Sequence, residues 1–144
     1  EAPPEAEMNF AYLGEVRVRE MLDANVADLK QNTPVAGCMD PRNGHRAPKD
    51  GSPCTEVLAC FRCRSCIVTQ DDLYRLFSFY WSVIEDRHTG DRKGWRKLFR
   101  HIVRLIDDDI APQFDPEVAE ATRAKAKVDR HPYWRDLTML RMAR

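Results

Sequence analysis

Cysteine is missing from nearly all of this 144-residue chain: none stands before Cys38 or after Cys66. Whatever thiol chemistry the protein has is therefore confined to one segment. Long apolar runs are missing as well. None approaches the ~20 residues that a membrane helix needs, and no leader with a charged start and an apolar core is visible. Net charge is also lacking, because 23 basic side chains offset 23 acidic ones. Overall charge thus gives no argument for nucleic acid or membrane, and only the local distribution can speak. Internal repeats are absent, and so are alternating segments of strand length beyond a short piece at Ile67 to Thr69. These absences lead us to expect a soluble, cytoplasmic, mainly α protein with one core. The chain starts at Glu1 rather than Met, which suggests a processed product or a piece of a longer protein.

What is present concentrates between Cys38 and Cys66, where the spacing is C-x15-C-x5-C-x2-C-x2-C. Two cysteines at C-x2-C can turn both sulfurs toward one tetrahedral ion. The surrounding Pro34 to Pro53 is a run of turn formers (Asp40-Pro41, Asn43-Gly44, Asp50-Gly51, Ser52-Pro53) too polar to bury a core of its own. A metal crosslink would hold such a loop in one conformation. Structural Zn²⁺ is the favoured ion, with an iron–sulfur cluster, disulfides or unligated thiols as alternatives. We expect the ligands to be Cys38, Cys54, Cys60 and Cys63. Cys66, directly before Ile67-Val68-Thr69, is either an inward-facing small residue or an alternative ligand. His45 is a further substitute.

Around that loop the pattern is helical. Leu13, Val16, Leu22, Val26 and Leu29 fall near the 3.6 period, so an acidic packing helix is expected from Glu7 to Lys30. Thr69 with Asp72 makes a capping box. It opens a second helix whose apolar face is Leu73, Leu76, Phe77, Tyr80, Trp81 and Ile84. The aromatic cluster Phe77, Phe79, Tyr80 and Trp81 is expected to be core rather than a base-stacking surface. A third helix runs from Asp91 to about Ile110, with Trp95, Leu98, Phe99, Ile102, Val103 and Ile106 inward. Its other side carries Arg92, Arg96, Arg100 and Arg104 at i+4 spacing, with Lys93 and Lys97 beside them and no acid between Asp91 and Asp107. Asp115-Pro116-Glu117 starts a fourth, Ala-rich helix ending near Asp129. His131-Pro132-Tyr133-Trp134 stops it, and Leu137 to Arg144 can form a short terminal helix. The expected organisation is a linker stub and acidic helix (1–33), a Cys-rich loop (34–69) and a helical core (70–144), all in one structural unit.

Several spaced motifs carry a resemblance. They are Cys38-x-Asp40-Pro41, Gly51-x-x-Cys54, Cys60-x-x-Cys63, the run from Val68-Thr69 through Asp71-Asp72-Leu73-x-Arg75-Leu76-Phe77-Ser78-Phe79-Tyr80-Trp81, Ile106-Asp107, and His131-Pro132. Over residues 34 to 135 the chain resembles the cysteine-containing C-terminal region of long tyrosine recombinases of the phage-integrase type. The resemblance implies an accessory role in DNA recombination. Enzymes of that kind use a tyrosine nucleophile with arginines, a lysine and His-x-x-Arg. Here His101-Ile102-Val103-Arg104 matches only in spacing, and Tyr12, Tyr74, Tyr80 and Tyr133 lack basic partners in sequence. We therefore expect no catalytic residue in this chain.

The leading expectation is a non-catalytic, zinc-stabilised helical module that binds DNA backbone or a neighbouring recombinase subunit. Its DNA contacts would be Arg92, Lys93, Arg96, Lys97, Arg100 and Arg104. A protein-binding adaptor with a structural zinc is the competing class, and an iron–sulfur or thiol redox protein is a third. Neither a membrane nor a small-molecule partner is implied.

Overall fold

The computed structural model describes residues 17–18, 31–38, 58–62, 66–88 and 92–135. Helices dominate these residues, and the chain divides into two compact units, Glu1–Asp72 and Leu73–Arg144.

The first unit contains a small four-stranded sheet in the order β1-β4-β3-β2. The strands are β1 (Arg17–Val18), β2 (Gln31–Asn32), β3 (Gly37–Cys38) and β4 (Cys66–Val68). This corrects the expected helix over Glu7–Lys30 at Arg17 and Val18, which pair in parallel with Ile67 and Val68. The physical reason is visible in Val16-Arg17-Val18-Arg19, a period-2 run of β-branched and charged residues that the longer helical count passed over. The rest of that expected helix lies outside the described residues. β2 and β3 form an antiparallel pair closed by a turn at Thr33. The Thr33 hydroxyl accepts from Ala36 N at 2.9 Å and from Val35 N at 3.3 Å, while Thr33 N donates to Ala36 O at 3.0 Å. Val35 and Ala36 are fully buried, and Phe61, Cys66, Ile67 and Val68 of the same unit are buried too, so this end of the turn-rich stretch does contribute to a core.

The expected box at Thr69 is half formed, because the acid reaches back to Thr69 while Asp72 N bonds Thr69 O at 2.9 Å rather than the Thr69 hydroxyl. Asp72 Oδ2 accepts from Thr69 N at 2.8 Å and from Thr69 Oγ1 at 3.0 Å. It closes a single 3-10 turn, Gln70–Asp72, that precedes the first long helix.

The second unit is built on that helix, α1 (Leu73–Asp86), followed by α2 (Arg92–Arg104) and α3 (Pro116–Val128). α2 continues into a π-helical turn, Leu105–Ile110, and a 3-10 turn, Ala111–Gln113. The wider turn keeps Leu105, Ile106 and Ile110 buried together. α1 packs most extensively on α3, and it also meets α2 and the turn Pro132–Trp134. It is therefore buried on more of its circumference than its 3.6-period stripe suggests. Ser78, Phe79, Ser82 and Val83 are fully buried, whereas Trp81 and Ile84, expected inside, are half-buried. The two buried serines explain the extra face. His131 N donates to Ser78 Oγ at 2.9 Å, and Ser82 Oγ donates to Trp134 O at 3.1 Å, which anchors the segment after α3 across α1. Trp134 is fully buried, with its ring 5.1 Å edge-on to Phe79. At the start of α3, Asp115 Oδ1 accepts from Glu117 N at 2.8 Å with Pro116 at the first position, as the sequence predicts.

Candidate nucleic-acid interface

α2 forms because its apolar residues keep helical phase, and it is oriented because that phase is buried. Trp95, Phe99 and Ile102 point into the core, while Leu98 and Val103, expected inside, are half-buried at its margin. With that side fixed, Arg92, Lys93, Arg96, Lys97, Arg100 and Arg104 are all exposed. The ridge expected from the sequence is thus a solvent-facing surface of the second unit.

The structure then separates these six cations. An open groove of about 450 Å³ is lined by Arg87, His88, Arg92, Trp95, Arg96, Arg100, Val103 and Arg104. The four ridge arginines line it, and Lys93 and Lys97 do not. Arg87 and His88, which follow α1, were not singled out by the helical pattern. Their signal was nearness in sequence, since only three residues separate His88 from Arg92. The Arg87 guanidinium lies 5.6 Å from the centre of the Trp95 ring. That ring is pinned in turn, because Trp95 Nε1 donates to Val83 O at 2.8 Å.

Among the described residues, Arg92, Arg96, Lys97, Arg100 and Arg104 make no ion pair with a carboxylate. Glu85 accepts from Arg130 at 2.6 Å, and Asp107 accepts from Arg123 at 2.8 Å. Arg123 also lies over Phe77 and Tyr80, at 4.7 and 5.0 Å. Burial, reinforced by Asp107, raises the Tyr80 hydroxyl above its ordinary pKa.

The remaining expected site residues are distributed as follows. Tyr74 and Tyr80 use their hydroxyls on Asp129 O, at 2.6 Å, and on Asp107 Oδ2, at 3.1 Å. His101 is half-buried, whereas Arg104 of the same spacing lies exposed in the groove. In the first unit, Cys38 and Cys66 are directly opposed on β3 and β4. Opposed residues of an antiparallel pair share a face. Cys60 sits in the 3-10 turn Leu58–Arg62, which packs on β4. Cys54, Cys63, His45 and Tyr12 lie outside the described residues, as do the Asp91 cap and the expected terminal helix. Among the described residues no group of three His, Cys, Asp or Glu side chains is gathered closely enough to hold a metal ion. No described helix is long and apolar enough to cross a membrane. No family model, curated protein or solved structure matches the chain.

Proposed function

We propose that this chain is a non-catalytic module that binds the phosphate backbone of DNA through α2. The observation that carries the reading is the groove in which Arg92, Arg96, Arg100 and Arg104 stand in one exposed line. Such a line opposes helix stability twice. Like charges at i,i+4 cost ~0.2 to 0.5 kcal/mol per pair, and Arg92 and Lys93 occupy the helix end where cations are disfavoured. An ordinary solvated face avoids both costs by interleaving acids, so a phosphate partner gives the pattern its purpose. Arginine also fits that partner, because its planar fork meets a phosphate with two hydrogen bonds.

A structural Zn²⁺ in the first unit belongs to the same proposal, held by Cys38, Cys54, Cys60 and Cys63. The C-x2-C spacing of Cys60 and Cys63 supports it, and the opposition of Cys38 and Cys66 keeps Cys66 as the alternative ligand. Bound there, the ion would crosslink loops and supply no reaction chemistry. The resemblance to long tyrosine recombinases supplies the wider setting of DNA recombination, with a recombinase subunit as a second partner.

The test is a titration of labelled duplex DNA at several salt concentrations. About four or five phosphate contacts correspond to a slope of about −4 in log affinity against log salt. Little dependence on DNA sequence is expected, as for backbone contacts. No binding at low salt would sink the reading and promote the protein-binding adaptor.

A further inference from the structure

The groove is more than the ridge of one helix. Two of its lining residues, Arg87 and His88, come from the end of the preceding element and join four arginines of α2. We infer that this groove is a clamp for the backbone of duplex DNA, in which Arg87 is a fixed phosphate ligand supplied by a second element. The inference rests on the DNA-backbone reading above and deepens it.

Three observations carry it. First, Arg87 is positioned before any ligand arrives, since its guanidinium lies 5.6 Å from the centre of the Trp95 ring and Trp95 is hydrogen-bonded to Val83 O. A side chain already held loses less rotamer freedom when it binds. Second, among the described residues the polar lining of the groove is five arginines and one histidine, with no lysine. Its charged lining residues among those described are therefore all arginines, which can engage a phosphate through two parallel bonds. Third, among the described residues the groove offers no aromatic face to a base. Trp95 is only 6% exposed, Val103 is half-buried, and the exposed aromatic Tyr133 does not line the groove. Single strands gain much of their affinity from stacking on such faces, whereas a duplex presents phosphates and needs none. The line from Arg92 to Arg104 spans ~18 Å along a straight helix axis. A regular duplex backbone offers a phosphate about every 3.4 Å of axis on each strand, enough to occupy the line at several points.

The experiment is fluorescence anisotropy of a short labelled duplex, and of one of its strands alone, titrated with wild-type chain and with Arg87→Ala, Arg87→Lys, His88→Ala and Lys97→Ala. Arg87 and His88 are exposed, so thermal melts should confirm that these variants fold. Arg87→Ala is expected to weaken duplex binding about tenfold and to flatten the salt slope by about 0.9. Arg87→Lys should keep the slope and still lose about threefold, because an ammonium cannot form the fork. His88→Ala should weaken binding, and Lys97→Ala should do so less than Arg87→Ala. The duplex should bind more tightly than the single strand. Arg87→Ala within twofold of wild type at every salt, while ridge variants still fail, would overturn the clamp and leave the ridge reading standing. Equal or tighter binding of the single strand would overturn the duplex assignment. Wild-type chain that binds neither would overturn the functional reading itself.

Discussion

Arg130 donates to Glu85 Oε2 at 2.6 Å, across from the last turns of α1 to the end of α3. This pair engages Glu85, an acid that precedes the basic helix in sequence, with a cation that does not line the groove. Glu85 is half exposed, so the bond contributes at most ~1 kcal/mol to stability. Glu85→Gln should therefore shift a urea midpoint only slightly. It should leave duplex affinity unchanged, because the carboxylate does not shield the groove. A marked gain in affinity would show that Glu85 screens the ridge after all.

Trp134 is fully buried against Phe79, and its carbonyl accepts from Ser82. Trp134→Ala should cost ~3 to 5 kcal/mol through the cavity it leaves. Trp81 is half-buried, with Nε1 donating to Arg123 O at 2.9 Å and Lys127 5.0 Å from its ring centre. Its truncation should cost clearly less. Denaturant unfolding of both variants checks the order, and a reversed order would contradict the described packing of α1.

His131 Nδ1 accepts from Tyr133 N at 3.2 Å and so caps the turn Pro132–Trp134. Burial, with Arg75 and Arg135 adding to it, holds the imidazole below its ordinary pKa of about 6.5. The folded state thus binds the proton less readily than the unfolded one. The stability linked to His131 is complete above the unfolded pKa and is lost as pH falls through the folded value. His131→Asn keeps an acceptor without titrating. Stability measured between about pH 7.5 and about pH 5 should fall less steeply in this variant. Parallel pH profiles would remove His131 as the cause.

How much of this was legible depended on whether one periodicity was enough. α2 could be placed, ridge included, because Trp95, Phe99 and Ile102 set one phase and the arginines another. The Thr69–Asp72 box and the Asp115-Pro116 start were also legible, since both are local hydrogen-bond chemistry. Arg17 and Val18 are not legible as a strand, because a two-residue strand is defined by its partners Ile67 and Val68, which lie far away in sequence. Ser78 and Ser82 were not seen as core for a related reason. A buried serine needs a partner for its hydroxyl, and here the partners are the distant backbone of His131 and Trp134. Arg87 and His88 entered the site by proximity across a connection, which no helical wheel displays.

The zinc proposal is checked by elemental analysis of purified chain, with one Zn²⁺ per chain expected. Cys60→Ser and Cys63→Ser should lose the metal together with the folding that depends on it. Cys66 is 2% exposed, between strands, in a segment whose neighbours Ile67 and Val68 are also buried. Cys66→Ala should accordingly keep the metal. Loss of zinc in that variant would instead make Cys66 the partner of Cys38, which it faces across β3 and β4.

The decisive variant for function is the double reversal Arg96→Glu, Arg100→Glu. Both residues are exposed at the middle of the line, and neither pairs with a carboxylate among the described residues. Reversal converts two i,i+4 repulsions, Arg92 with Arg96 and Arg100 with Arg104, into attractions. The helix should keep its stability or gain slightly, by ~0.2 to 0.5 kcal/mol per pair. A loss of DNA binding therefore could not be ascribed to unfolding. Two phosphate contacts would become two repulsions, so duplex affinity should vanish at physiological salt while the zinc content and the melting curve stay unchanged. If the double variant binds the duplex as wild type does, the line of arginines is not the DNA contact, and the protein-binding adaptor becomes the better reading of this surface.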